Sequence, residues 1–273
     1  MNLSENIKRI AVSFAAIPII ILASYFGGYY FLAFVIVVSV TAYYEFILFC
    51  KKKEINANLW LASITILLLL LNQFKHFIDV YTIIISSSLL LLIFELFRNK
   101  GSAIFNLGAT YLGIFYIGLF STALLGLREF YPNVDGLYVR GGYLIISILA
   151  SIWLGDSAAY YGGTAFGKHK LFPRVSPNKS WEGAVFGFLF SLGAMIFAKL
   201  VVLDFLAWNN VIVLGIIIGI VGQLGDLIES LLKRDAGVKD SSAIIPGHGG
   251  VFDRFDSLLF VAPAVWFYLR YFQ

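Results

Sequence analysis

Residues 28–49 read GYYFLAFVIVVSVTAYYEFILF, and Glu45 is the one charged residue in the run. A helix needs about 20 mostly apolar residues to cross the hydrocarbon of a bilayer, and this stretch supplies them without a proline. The same pattern recurs outward along the chain. Apolar runs predict nine helices, over residues 10–26, 28–49, 58–73, 79–97, 107–127, 142–162, 183–203, 211–232 and 256–271. Gly27-Gly28 marks the first turn, Lys51-Lys52-Lys53-Glu54 closes the first hairpin, and Pro263 predicts a kink in the last helix. The expected fold is therefore all-α, a polytopic integral membrane protein with about nine transmembrane helices. A membrane β-barrel does not fit, because its strands would alternate apolar and polar residues.

Composition agrees with this reading. Of 273 residues, 60% are hydrophobic and 13% charged, and the mean hydropathy is +0.86. Soluble domains average roughly 45–50% apolar and about 25% charged residues. Cys50 is the only cysteine, which rules out an intrachain disulfide or a cysteine-based metal cluster. The net charge of +4 needs no nucleic acid partner, since basic loops on the inner membrane surface account for it. Residues 10–26 follow Lys8-Arg9 as a signal peptide would, but the many later apolar runs make them the first span.

The distribution of basic residues sets the expected sidedness, because basic loops stay cytoplasmic. With the N-terminus inside, Lys8, Arg9, Lys51, Lys52, Lys53, Arg98, Lys100, Lys168, Lys170, Arg174, Lys179, Lys233, Arg234, Lys239 and Arg254 fall on the cytoplasmic side. Only Lys75, Arg128, Arg140, Lys199 and Arg270 fall outside. Both long polar segments, 163–182 and 233–255, then face the cytoplasm of what reads as a bacterial inner membrane. The outer loop 128–141, with Arg128, Glu129, Asp135 and Arg140, reads as a solvated connector. Glu45 and Glu95 lie near cytoplasmic helix ends, where a carboxylate can snorkel toward water. Residues 1–127 thus read as N-terminal scaffold helices, with a surface on which a homodimer could form. Residues 128–273 read as the catalytic region.

The chemistry concentrates in that second region. Asp156, within Trp153-Leu154-Gly155-Asp156, is an acid in an apolar helix and so a functional candidate; Tyr160 shares its face, and a purely structural carboxylate is the bland alternative. Gly162-Gly163-Thr164-Ala165-Phe166-Gly167-Lys168 supplies glycines that let a backbone approach a ligand, though His169 stands where a P-loop needs Ser or Thr. Ser176-Pro177-Asn178-Lys179-Ser180-Trp181-Glu182-Gly183 precedes a helix whose N-terminal amides favour an anion, with Lys179 as a point charge and Ser176 beside it. A charged connector is the alternative there.

The densest stretch is 225–256. Asp226, Ser230 and Lys233 share a helix face, with Glu229 adjacent. A loop carrying Lys239-Asp240 follows, then Pro246-Gly247-His248-Gly249-Gly250. Asp253 and Asp256 project together from the first turn of the last helix. Carboxylates so spaced suit a hard cation such as Mg²⁺; Lys233, Arg234, Lys239 and Arg254 suit phosphate oxygens or ion pairs. Acids and bases interleaved at a membrane surface point to phosphoryl or nucleotidyl transfer, against a mere salt-bridge cluster. His248 reads as an anion contact or loop-positioning donor rather than a base, and no cysteine or second histidine lies near it to suggest a zinc site.

Ser230…Lys233-Arg234, Lys239-Asp240 and Pro246-Gly-His248-Gly-Gly-Val-Phe-Asp253-Arg254-Phe-Asp256 resemble the signature of the phosphatidate cytidylyltransferases, or CDP-diacylglycerol synthases. Gly155-Asp156, Phe166-Gly167-Lys168, Ser176-Pro177-Asn178-Lys179, Glu182-Gly183 and Gly225-Asp226 are similar to that family's other motifs. The resemblance implies condensation of CTP with phosphatidic acid, a membrane lipid, to give CDP-diacylglycerol and pyrophosphate in phospholipid biosynthesis. It also implies Mg²⁺, as one or two divalent or mixed metal ions. Asp226, Asp253 and Asp256, with Asp156, are then the expected metal ligands. Asp226, Lys239, Asp240, Asp253 and Asp256 are the expected catalytic set. Ser176, Lys179, Lys233, Arg234, His248 and Arg254 would bind substrate. A transporter would place its ionisable residues near the bilayer midplane in paired half-helices. A CDP-alcohol phosphotransferase would carry a D-G-x-x-A-R motif. Neither is present.

Overall fold

A computed structural model of the chain describes residues 3–134, 136–242, 244–245 and 249–272, with side chains from Phe14 onward. Its helices are α1 (Leu3–Phe26), α2 (Gly28–Lys52), α3 (Leu59–Lys75), α4 (Val80–Arg98), α5 (Ala103–Gly113), α6 (Phe120–Arg128), α7 (Tyr138–Phe166), α8 (Trp181–Val201), α9 (Trp208–Asp235) and α10 (Phe252–Phe272). A π-helical segment, Ile114–Leu119, joins α5 to α6, so 103–128 is one continuous rod in the place of a single expected span. Every expected helix is present, with its ends moved by up to seven residues. Among the described residues, six rods are long and apolar enough to cross a membrane: 28–52, 80–98, 103–128, 138–166, 181–201 and 208–235. Phe14–Phe26 and Leu59–Lys75 are shorter apolar helices.

Local chemistry sets several of these ends. Asn58, Asp79, Ser102 and Ser180 are N-caps whose side chains accept a backbone N–H of the first turn. His76 and Asn99 close α3 and α4 in the left-handed conformation. Between α7 and α8 the chain forms two short antiparallel strands, β1 (Lys170–Phe172) and β2 (Ser176–Ser180). The polar segment 163–182 showed no alternation that would have announced them.

The chain packs as two compact units, one comprising Met1–Ala23, Gly28–Gly126 and Leu232–Phe255, the other Ser24–Gly27, Leu127–Leu231 and Asp256–Gln273. In the first, α2 and α3 pack against the π-helical segment. Glycines permit the approach: a Cβ at Gly113 would collide with the Tyr43 ring, and one at Gly118 would lie 2.9 Å from Ile66. Tyr43, Phe46, Phe49, Tyr116 and Phe252 form its aromatic core. Glu95 is nearly buried here rather than snorkelling, because Asn106 Nδ2 (2.6 Å) and Arg98 Nη1 (3.1 Å) satisfy its oxygens.

In the second unit, α7 and α8 pack along a seam of small residues. Gly187 faces Ala159, Gly183 faces Gly163, and Ser191 Oγ donates to the Ser151 carbonyl at 3.0 Å. Gly162 and Gly163, expected to admit a ligand, instead admit the neighbouring helix: a Cβ at Gly162 would press on Phe186, 2.5 Å away. Arg128 also departs from expectation. It is fully buried, donating to the carbonyls of Ser24, Tyr25 (2.8 Å) and Tyr138 (3.2 Å), with its guanidinium 4.2 Å from the centroid of the Tyr138 ring. The carbonyls at the end of α1 explain it: a helix C-terminus presents acceptors and favours a cation. Asp135 lies outside the described residues.

Candidate active site

In the second unit, the β1–β2 hairpin carries the upstream motif to the start of α8. Trp181 N donates to the His169 carbonyl at 2.9 Å, and Ser180 Oγ accepts from Gly183 N at 3.1 Å, so hairpin and helix are locked end to end. Glu182, in the first turn of α8, accepts from His169 N at 3.2 Å and faces His169 Nδ1 at 2.7 Å. On β2, Lys179 reaches across to α9, where its Nζ lies 2.5 Å from Asp226 Oδ2. Asp226 Oδ1 is 3.4 Å from Ser230 Oγ, one turn along. Both members of the Lys179–Asp226 pair remain about a third exposed. Ser176 is half-buried at the other end of β2, opposite Phe172. Asp156 and Tyr160 are exposed on α7.

Gly225 lets α9 meet α10. A Cβ there would lie 2.7 Å from Phe260 Cβ and 3.0 Å from the Asp256 carbonyl, so Asp226 and Asp256 stand on neighbouring turns of the two helices. Asp256 is buried, and its Oδ1 accepts from Ser257 N at 2.7 Å.

The first unit holds the other polar stretch, and its carboxylates are arranged differently. Asp253 Oδ1 pairs with Lys233 Nζ at 2.6 Å, and both side chains are almost buried. Its Oδ2 accepts from Ser241 N (2.9 Å), Ser241 Oγ (2.8 Å) and Gly250 N (2.8 Å). Gly249 takes φ +83°, where a side chain would be strained, and a Cβ there would lie 2.7 Å from Asp253 Oδ2. Arg234 is exposed and donates to the Val238 carbonyl at 3.0 Å; Lys239, Asp240 and Arg254 are exposed. His248 lies outside the described residues.

A residue assigned to the scaffold completes this arrangement. Glu45 of α2 is fully buried, and its carboxylate accepts from Ser242 Oγ (2.5 Å), Ser241 Oγ (3.0 Å), Val251 N (3.0 Å) and Phe252 N (2.7 Å). Snorkelling toward water is thus overturned: the loop and the start of α10 bring their donors to the acid. The only signal in the sequence was a lone charge in an apolar run, which does not name its partners. Ser241, Ser242 and the His169–Glu182 pair were likewise not singled out as contacts.

The profile of the family described as "Cytidylyltransferase family" matches residues 7–272. The chain belongs to this family. Among curated relatives, it is 39% identical over 185 residues to the phosphatidate cytidylyltransferase of Staphylococcus haemolyticus, covering 66% of this chain and 65% of that protein. It is 34% identical over 249 residues to the protein of that name in Staphylococcus aureus, covering 87% and 88%. With the Haemophilus influenzae protein of that name it shares 45% identity over 128 residues, covering 45% and 44%. The chain therefore spans slightly under two thirds of the Staphylococcus haemolyticus relative and most of the Staphylococcus aureus one.

For a cytidylyltransferase the donors available to a divalent ion matter. Among the described residues, no three acidic, histidine or cysteine side chains converge to hold a metal. Mg²⁺ commonly needs only one or two protein carboxylates, the rest of its shell coming from phosphates and water. Asp226 fits that demand, being an oxygen donor at a partly exposed position whose present cation, Lys179, is itself partly exposed. Asp253 fits less well, since three protein donors, and a Ser241 hydroxyl shared with Glu45, already occupy its two oxygens.

Proposed function

We propose that this cytidylyltransferase family member condenses CTP with phosphatidic acid, giving CDP-diacylglycerol and pyrophosphate for phospholipid biosynthesis. The relatives' names and the signature motif support these substrates. The Lys179–Asp226 pair carries the structural side of the reading: a close, partly exposed cation and anion can part to receive a triphosphate and its counter-ion. The lipid phosphate is already an anionic nucleophile and needs no strong base. One of its oxygens attacks the α-phosphorus of CTP, a new P–O bond forms, the α–β anhydride bond breaks, and pyrophosphate leaves with the electron pair.

Mg²⁺ would be held by Asp226 and Asp256 together with phosphate oxygens, and would offset charge on the triphosphate. Asp156 is a second candidate for the same ion, and Asp240 is a candidate for anchoring bases. Lys179 would turn from Asp226 to a phosphate, with Ser176 beside it on the hairpin. Arg234, Lys239 and Arg254 would meet phosphates of the nucleotide or headgroup, and His248 an anionic oxygen. Asp253 would hold Lys233 in place. Positioning and charge stabilisation supply the catalysis in such transfers.

The reading places the site at the cytoplasmic face of a bacterial inner membrane, following the bias of basic residues. It includes a homodimer, for which the largely exposed α4 offers an apolar surface. The test is turnover by purified protein given CTP and phosphatidic acid with Mg²⁺ or with EDTA. A lipid-linked CMP formed only with the metal is expected; its absence in both arms contradicts the reading.

A further inference from the structure

We infer that Glu45 is a positioning residue for the signature stretch: from within an apolar helix it fixes Ser241, Ser242, Val251 and Phe252. The inference rests on the proposed reaction for its kinetic part and on geometry for the rest. Two of the donors on Glu45 are the backbone N–H groups of Val251 and Phe252, at the start of α10. Helix N-termini leave such groups unpaired and favour a negative charge, so a buried carboxylate there is satisfied rather than stranded. The Phe252 side chain is buried against Phe49, one turn from Glu45 on α2, and against Tyr116. Backbone and side chain of one residue are thus seated on the same helix.

The contact continues to Asp253 and Lys233. Ser241 Oγ lies 3.0 Å from Glu45 and 2.8 Å from Asp253, and Asp253 holds Lys233. Glu45, Ser241, Asp253 and Lys233 form one connected series, and Lys239-Asp240 lead directly into it. A Cβ at Gly250 would collide with Ser241 Oγ and with both Glu45 oxygens, so the chain at Gly250 closes on the acid with no room to spare. Glutamine cannot replace this carboxylate. Val251 N and Phe252 N bond different oxygens of Glu45, so one of them must face the amide NH₂, donor against donor.

The experiment uses the full chain in lipid nanodiscs, comparing wild type with Glu45→Gln and Glu45→Asp. Turnover is measured with CTP, phosphatidic acid and Mg²⁺, and amide hydrogen exchange is followed along the chain. For Glu45→Gln we expect kcat to fall at least tenfold per folded molecule, with KM for both substrates within threefold. Exchange across residues 241–252 should quicken at least tenfold while the 170–182 hairpin is unchanged. Glu45→Asp, which keeps the charge, should recover part of both losses. If Glu45→Gln fails to accumulate, Ser242→Ala should show the same localised quickening with a two- to fivefold loss of kcat. A kcat within twofold of wild type, or exchange that quickens equally everywhere, overturns the inference. If wild type itself makes no product, the proposed reaction falls, and the exchange comparison alone then decides the role of Glu45.

Discussion

Two polar regions of this apolar chain use carboxylates in opposite ways. At the hairpin and α9, Asp226 meets a single cation, Lys179, and both stay partly open to solvent. At the signature stretch, Asp253 and Glu45 are almost closed off, with three donors on each and the single Ser241 hydroxyl shared between them. An exposed pair contributes little to stability and can exchange partners. A buried, fully bonded carboxylate is costly to disturb, because each lost acceptor leaves a desolvated donor behind. The first region leaves its carboxylate free to exchange partners, and the second holds its carboxylates in place. Residue type alone does not separate these roles; the number of donors on each oxygen does.

The largest predicted effect breaks the comparison at its open side. Asp226→Asn should lower turnover by on the order of 100-fold or more, while the melting temperature in nanodiscs stays near wild type. A large loss of thermal stability would place Asp226 with the buried carboxylates instead. Asp253→Asn, at the closed side, should impair both turnover and folding. Removing one partner of a buried pair costs about 3–5 kcal/mol, visible as a lower melting temperature. Unchanged melting would show that its donors contribute little.

Smaller changes sharpen the contrast. Ser242→Ala deletes one donor to Glu45 and should cost about 1 kcal/mol, read from denaturation of the folded protein. Lys53→Ala removes an exposed pair with Asp235, 3.4 Å long. It should change stability by less than about 1 kcal/mol; a larger change would mean that exposed pairs matter here more than their geometry suggests.

Much of the fold was legible because apolar runs long enough to span a bilayer have few alternatives, and the helices fall where those runs lie. Arg128 was misread because its burial depends on carbonyls at the end of α1, more than a hundred positions earlier. The β1–β2 hairpin was invisible because KLF and SPNKS carry no alternating pattern. Gly162 and Gly163 were read as making room for a ligand, whereas the helix packed beside them fills that room. Asp226, Lys179, Lys233 and Asp253 stand out in the sequence as candidates. Their pairing does not: Lys179 and Asp226 are 47 positions apart, and Glu45 is some two hundred positions from Ser242 and Phe252. Spacing within one helix says which side chains share a face, not which distant segment folds against it.

The proposed transfer is tested most directly by where each phosphorus of CTP goes. Purified protein with phosphatidic acid and Mg²⁺ is given CTP labelled at the α-phosphorus in one reaction and at the γ-phosphorus in another. The α label should appear in the lipid fraction, and the γ label should remain in water as pyrophosphate. A γ label in the lipid, or no label there from either nucleotide, would contradict attack of the lipid phosphate on the α-phosphorus.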